Sequence, residues 1–234
     1  QNEMYSNPVQ NEKAILLQSM YRSHRVREQL KEEKDSEKDT AVEETLHGPP
    51  PSIARKILAF EIPDGRAKII YNSKFPVFKS EDIIEMDRKF VECHSFGPYE
   101  FQNGSVYDGQ WKFGMKHGRG KQYWADGSIY DGYWCDNLAH GKGILIQANG
   151  DFYIGDWQND KAHGQGRQEN YNGGYYEGGF VSDKFQGIGV EELHDGTIYK
   201  GYFHQGMKDG KGVCNWKDGA RYEGDFKENL MNGI

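Results

Sequence analysis

His117, His140 and His163 stand 23 residues apart, and three imidazoles at one spacing raise the question of zinc. A zinc ion holds its ligands about 2 Å away. Equivalent residues of units two strands wide lie about 10 Å apart. The three histidines therefore do not converge on one ion, and no metal ligand is assigned. Cys93, Cys135 and Cys214 are few, odd in number and share no metal-ligand spacing, which fits a reducing compartment. Gly118 with Gly120, and Gly164 with Gly166, form Gly-x-Gly pairs. Neither pair opens a helix after a strand, as a phosphate cradle requires. No Gly-x-Ser-x-Gly, His-Glu-x-x-His or P-loop occurs. The expectation is a protein without catalytic residues, cofactor or metal. Binding chemistry is more legible near the N-terminus. There Ile15, Leu17, Met20, Tyr21 and His24 recur at helical spacing, while Lys13, Arg22, Arg25 and Arg27 are basic. Such a helix suits an apolar groove in an acidic partner.

The elements that position these residues follow from local signals. Asn7, Pro8 and Gln10 read as N-cap, first helical residue and third helical residue. Helix formers continue to about Glu33. Residues 32–44 then turn acidic and polar, a solvated tail or linker, and Gly48 followed by Pro49, Pro50 and Pro51 ends any helix. Further on, Ile53, Ile57, Leu58 and Phe60 fit either a short helix or a strand. The run Lys68, Ile69, Ile70 and Tyr71 predicts a strand after the turn Pro63, Asp64 and Gly65. Ser80 with Glu81 and Asp82 predicts a short helix to about Phe90. Its face of Ile83, Met86 and Phe90 is expected to cover the aromatic sheet near its first units. Three regions result: 1–47, a helix and acidic linker; 48–98, a Pro-rich linker and capping segment; 99–234, a repeat array whose last copy is incomplete.

The array rests on one skeleton. Tyr107, Gly109 and Trp111 recur as Tyr130, Gly132 and Trp134, then as Tyr153, Gly155 and Trp157. Three later copies carry Phe in the third place: Tyr176, Gly178, Phe180; Tyr199, Gly201, Phe203; Tyr222, Gly224, Phe226. Every step is 23 residues, with no insertion, the signature of a repeat architecture. A spacing of two puts each triplet on one face of a strand. Gly118 and Gly120 share a face of the following strand, and Gly, Asn or Asp residues between the two suit a tight hairpin turn. Glycine at these points leaves room for an aromatic ring against the backbone. Trp111, Trp134 and Trp157 are expected to stack at equivalent positions, each near a repeat glycine. Tyr99 to Ser105 reads as a preceding half-unit.

Residues Tyr107 to Gly120 match the MORN consensus Y-x-G-x-W-x-x-G-x-x-H-G-x-G, so the array resembles a MORN-repeat protein. The resemblance implies a mainly β fold: a single-layer antiparallel sheet of stacked hairpins, here with an N-terminal α-helical extension. Within that extension Leu17, Gln18, Arg22, Ser23 and Arg27 resemble the IQ motif, with Ser23 where the family carries Gly. The IQ resemblance implies binding of calmodulin or an EF-hand light chain through Leu17, Gln18, Met20, Tyr21, Arg22, Ser23 and Arg27. MORN proteins of this kind are similar to those of radial spokes and other ciliary or cortical assemblies. That implies a non-enzymatic scaffold in the cytoplasm, on the cytoskeleton of a ciliary axoneme, contacting other subunits of a large complex. The alternatives are a membrane-associated tether, or the regulatory region of an enzyme whose catalytic domain lies outside the sequence. Charge bears on these. The whole chain carries −7, and residues 107–234 hold 14 Lys and Arg against 18 Asp and Glu. Nucleic acid is not expected as a partner, nor is direct binding to an anionic membrane. No apolar run is long enough to span a bilayer.

Overall fold

The computed structural model describes residues 54–56, 61–62, 64–74, 80–90 and 93–233; for 54–56, 69, 72–74 and 80–84 it describes backbone alone. The expected hairpins are there, and strand follows strand without a crossover. A 14-stranded antiparallel sheet runs in sequence order. It begins with β1 (Ala54–Lys56) on β2 (His94–Phe101). Five two-strand units follow: β3 (Val106–Lys112) with β4 (Met115–Tyr123), β5 (Ile129–Cys135) with β6 (Leu138–Ile146), β7 (Phe152–Gln158) with β8 (Lys161–Glu169), β9 (Tyr175–Val181) with β10 (Lys184–Glu192), and β11 (Ile198–His204) with β12 (Met207–Asn215). The sheet closes with β13 (Arg221–Lys227) and β14 (Leu230–Met231). Among the described residues two helices lie alongside, α1 (Arg66–Lys74) and α2 (Ser80–Lys89).

Two kinds of turn alternate. Within a unit the turn has two residues with positive φ, such as Asp136 and Asn137 at 50° and 67° or Asn159 and Asp160 at 51° and 63°. Paired left-handed residues match the twist of the flanking strands. The second of them also bridges to the previous unit. Asn137 donates its N–H to the Lys116 carbonyl at 2.9 Å and accepts the Lys116 N–H on Oδ1 at 2.6 Å. Asp160 repeats this on Ala139, Asp183 on Ala162 and Asn229 on Lys208. Between units the turn spans five residues. The Trp124 N–H donates to the Ser128 carbonyl, and Asp126 Oδ1 accepts the Ser128 N–H at 2.8 Å. Asn103, Asn149, Asp195 and Asp218 make the same turn bond, which is why Asp or Asn recurs there.

One face of the sheet holds a continuous ladder of rings. From Tyr107 to Phe226 none is more than 7% exposed except Tyr222, which is half-buried. The tryptophans do not stack on one another, as the sequence suggested. Each tyrosine stands edge-on between its own Trp or Phe and that of the next unit: Tyr107 lies 5.0 Å from Trp111 and 5.5 Å from Trp134, and Tyr130 lies 4.9 Å from Trp134 and 5.3 Å from Trp157. The alternation continues through Tyr153, Tyr176 and Tyr199 to Tyr222 against Phe226. Edge-to-face contact is the geometry favoured by ring quadrupoles. The repeat glycines seat the tyrosine. A Cβ on Gly120 would fall 2.1 Å from Tyr107 Oη, and one on Gly143 would fall 2.4 Å from Tyr130 Oη. The tyrosine hydroxyls donate to carbonyls three residues on, Tyr107 to Gln110 and Tyr130 to Tyr133. Trp134 and Trp157 donate Nε1–H to the carbonyls of Gly120 and Gly143, both at 3.0 Å.

The segment before the array departs from expectation at two places. Residues 66–74 form helix α1, although Lys68 to Tyr71 suggested a strand. Ala67, Ile70 and Tyr71, spaced by three and four, face the sheet together. This tertiary contact overrides the strand preference of an Ile-Ile-Tyr run. Helix α2 occupies nearly the expected span. Both helices cover the face opposite the ring ladder rather than the ladder itself. There Tyr71 and Ala67 join Val106, Tyr123, Ile129, Ile144, Ile146 and Phe152. Phe90 lies stacked on Tyr133 at 5.6 Å, and Met86 abuts Gly141. Strand β1 lies within the other ambiguous stretch, pairing Ala54 with Phe101, while Ile53, Ile57, Leu58 and Phe60 lie outside the described residues.

Candidate functional site

The rings of the ladder face are taken up with one another. Its polar groups are also held inside. Lys116 is 1% exposed; its ammonium sits 4.7 Å from the Trp134 ring and donates to Gln122 Oε1 at 3.1 Å. Four repeats later Lys208 occupies the same place, paired with Glu191 at 2.7 Å and 4.9 Å from the Tyr199 ring. Ala139, Ala162 and Phe185 stand there in the units between. Phe185 lies flat on Tyr176, with centroids 3.7 Å apart. Burial drives the phenols of Tyr107, Tyr130, Tyr153 and Tyr176 well above their ordinary range, and that of Tyr199 up to about 12. The residues expected to carry the repeat are thus the frame, and what they position is the opposite face.

That face has two halves. Over the early units, α1 and α2 cover it. The Tyr71 hydroxyl donates to Asp131 Oδ2 at 2.7 Å, and the Tyr133 hydroxyl donates to Asp87 Oδ1 at 2.6 Å. Burial, then the Asp131 charge, raises the Tyr71 phenol. Burial likewise raises the Asp131 carboxyl, against the pull of the Tyr71 hydroxyl and of Lys121. Over the later units neither helix reaches, and Ile188 and Tyr202, directly paired between β10 and β11, are 68% and 48% exposed. Elsewhere on this face Arg167 bridges Glu169 and Glu177, each at 3.0 Å, and Lys142 pairs with Asp156 at 2.8 Å. An exposed apolar pair on a face that also carries such ion pairs suits a protein partner better than a polyanion.

The sheet register also gathers residues that sequence reading kept apart. Gly118 faces Trp134 across β4 and β5, and the same register brings His117 to Cys135 and Asp136. The ligand atoms of these three lie within 4.8 Å of one another. His117 Nδ1 is 3.1 Å from Asp136 Oδ1 and accepts the Asp136 N–H at 3.3 Å. The imidazole is held from its other side by the edge of Phe90, 5.1 Å away. Burial, then Asp136, pushes the Cys135 thiol up. Comparing histidine with histidine along the repeat missed this group; comparing across the strand pair finds it. Leu17, Gln18, Met20, Tyr21, Arg22, Ser23 and Arg27 lie outside the described residues.

A family model described as MORN repeat matches residues 107–129, 130–152, 153–175, 176–198, 199–221 and 222–234. No curated protein matches the chain. Among solved structures, a selenomethionine-substituted virginiamycin B lyase from Staphylococcus aureus is 16% identical, covering 58% of this chain and 42% of that one with a TM-score of 0.17. A streptogramin B lyase structure is 18% identical, covering 58% and 44%, with a TM-score of 0.17. The chain spans less than half the length of either lyase, and likeness at that TM-score carries no argument.

Proposed function

This chain belongs to the MORN-repeat family, whose repeats suggest a scaffold for protein interaction or membrane binding, and from that premise we propose a non-enzymatic scaffold of a ciliary or cytoskeletal assembly. The observation that carries the reading is the unbroken ring ladder. It makes a rigid frame of fixed increment and leaves the opposite face of the later units free to carry partners. In this reading the protein sits in the cytoplasm on an axoneme, as radial-spoke MORN proteins do, among other subunits of a large complex. The balanced charges of the outer face favour protein partners over an anionic bilayer.

Residues 8–33 supply the second half of the proposal, a tethered calmodulin or EF-hand light chain that connects calcium to the assembly. Leu17 enters the apolar groove of one lobe, and Met20 and Tyr21 extend the contact. Gln18 hydrogen-bonds backbone in the lobe linker, Arg22 and Arg27 pair with acidic residues, and Ser23 lies at the closest approach. Titration of the full chain with calmodulin, with and without calcium, tests this. Loss of a central anchor costs about 2 kcal/mol, roughly 30-fold in affinity, and an exposed charge pair less. Leu17→Ala is therefore expected to weaken binding more than Arg27→Ala. Absence of binding in both states, or unchanged affinity when Leu17, Gln18 and Arg22 all become Ala, overturns the assignment.

A further inference from the structure

We propose that His117, Cys135 and Asp136 form a binding site for a zinc-class divalent cation at the junction of the first and second repeats. The donor set is an imidazole nitrogen, a thiol sulfur and a carboxylate oxygen, the combination that borderline cations prefer. The three ligand atoms already lie within 4.8 Å of one another, so ligation needs side-chain adjustment and no rearrangement of the sheet. His117 Nδ1 lies at this turn, 3.3 Å from the Asp136 nitrogen, and a cation bound there takes the lone pair that otherwise accepts the Asp136 N–H. The Asp136 carboxylate oxygen is 3.1 Å from the same nitrogen. A proton on Nδ1 makes this contact a hydrogen bond, and a cation would take that proton's place between the same two atoms. The Cys135 thiol would complete a three-residue set. Its proton passes to solvent as the metal–sulfur bond forms. Asp136 is 60% exposed in its side chain and His117 15%, which leaves the fourth coordination position open to water.

The repeat provides an internal comparison. Every junction places one side chain of a unit's second strand beside two from the next unit's hairpin. The later junctions pair His140 with Gln158 and Asn159, His163 with Val181 and Ser182, Gln186 with His204 and Gln205, and Asp209 with Lys227 and Glu228. The last two are a Gln–His contact at 3.4 Å and a Lys–Asp ion pair at 3.0 Å. Nitrogen, sulfur and carboxylate come together only where His117 meets Cys135 and Asp136. At the next junction, where Gln158 and Asn159 replace the thiol and carboxylate, His140 Nδ1 is buried with no hydrogen-bond partner.

Titration of the full chain with Co2+, and competition by Zn2+, tests the site. One equivalent of Co2+ is expected to produce a thiolate-to-cobalt charge-transfer band. Cys135→Ser should abolish that band and His117→Gln should weaken Co2+ binding about tenfold or more, with Cys214→Ser leaving both unchanged. A gain-of-site variant, Gln158→Cys with Asn159→Asp beside His140, is expected to bind a second equivalent. Both substituted positions are exposed, so the fold should tolerate them. Absence of the band in the unsubstituted chain overturns the proposal and leaves a His–Asp contact. So does a band that survives Cys135→Ser.

Discussion

At the scale of single residues, the repeat glycines decide how closely two strands and a ring approach. A Cβ on Gly132 would meet Gly143 Cα at 2.5 Å, Tyr130 Oη at 2.6 Å and the Lys142 carbonyl at 2.7 Å. Two of these are backbone atoms of the paired strand, so no rotamer change relieves the clash. Gly132→Val is expected to destabilise the array by about 1–3 kcal/mol or more, lowering the melting temperature by several degrees, with a changed near-ultraviolet spectrum as Tyr130 leaves its seat between Trp134 and Trp157. An unchanged melting temperature and spectrum would refute the seating. That glycine, rather than any small residue, stands here was legible from spacing alone. Which ring it seats was not. Tyrosine and tryptophan share one strand face, and only the strand pairing shows that the tyrosine folds back over the two glycines.

Elements were legible in proportion to how local their determinants are. Each hairpin is fixed by its own turn residues and by a strict period, so all the strands from β3 to β13 fall where the sequence put them. Helix α1 is different. Ile69, Ile70 and Tyr71 favour a strand locally, and the helix exists because Ala67, Ile70 and Tyr71 find an apolar surface contributed by the five strands β3 to β7. No window of sequence around residue 70 contains that surface. The cluster at His117 was hidden for a related reason: its members lie 18 and 19 positions apart and meet through register. Docking of α1 also depends on protons. Burial raises the Asp131 carboxyl above its unfolded value. Its contribution to stability is therefore fully present below the unfolded value, about 3.9, and is lost as pH rises through the folded one. Asp131→Asn removes this dependence. The stability difference between the native chain and the variant should be greatest near pH ~4 and shrink toward neutrality. Denaturant titration at several pH values measures it, and a constant difference would count against the buried carboxyl.

For the whole molecule, the ladder links the units through one kind of contact, and five of its tyrosines share one protonation state. Tyr107, Tyr130, Tyr153, Tyr176 and Tyr199 all have phenols raised chiefly by burial. The stability they confer is complete below the unfolded phenol value of about 10 and is lost as pH rises past it. Each then removes about 1.4 kcal/mol per pH unit. A steep alkaline transition is expected, with tyrosinate absorbance and loss of sheet circular dichroism appearing together. Gradual ionisation with an intact sheet would show that the rings are more accessible than their packing indicates. The unbroken strand order has a further, mechanical consequence. Because β1 and β14 form opposite edges of the sheet, tension applied between Ala54 and Gly233 runs across the strands, along their hydrogen bonds. Bonds loaded in this direction give way in succession from an edge rather than all at once. Each released unit turns about 10 Å of sheet into about 80 Å of extended chain. Under load the array would lengthen by whole repeats, yielding like a row of fasteners while the remaining units keep their spacing.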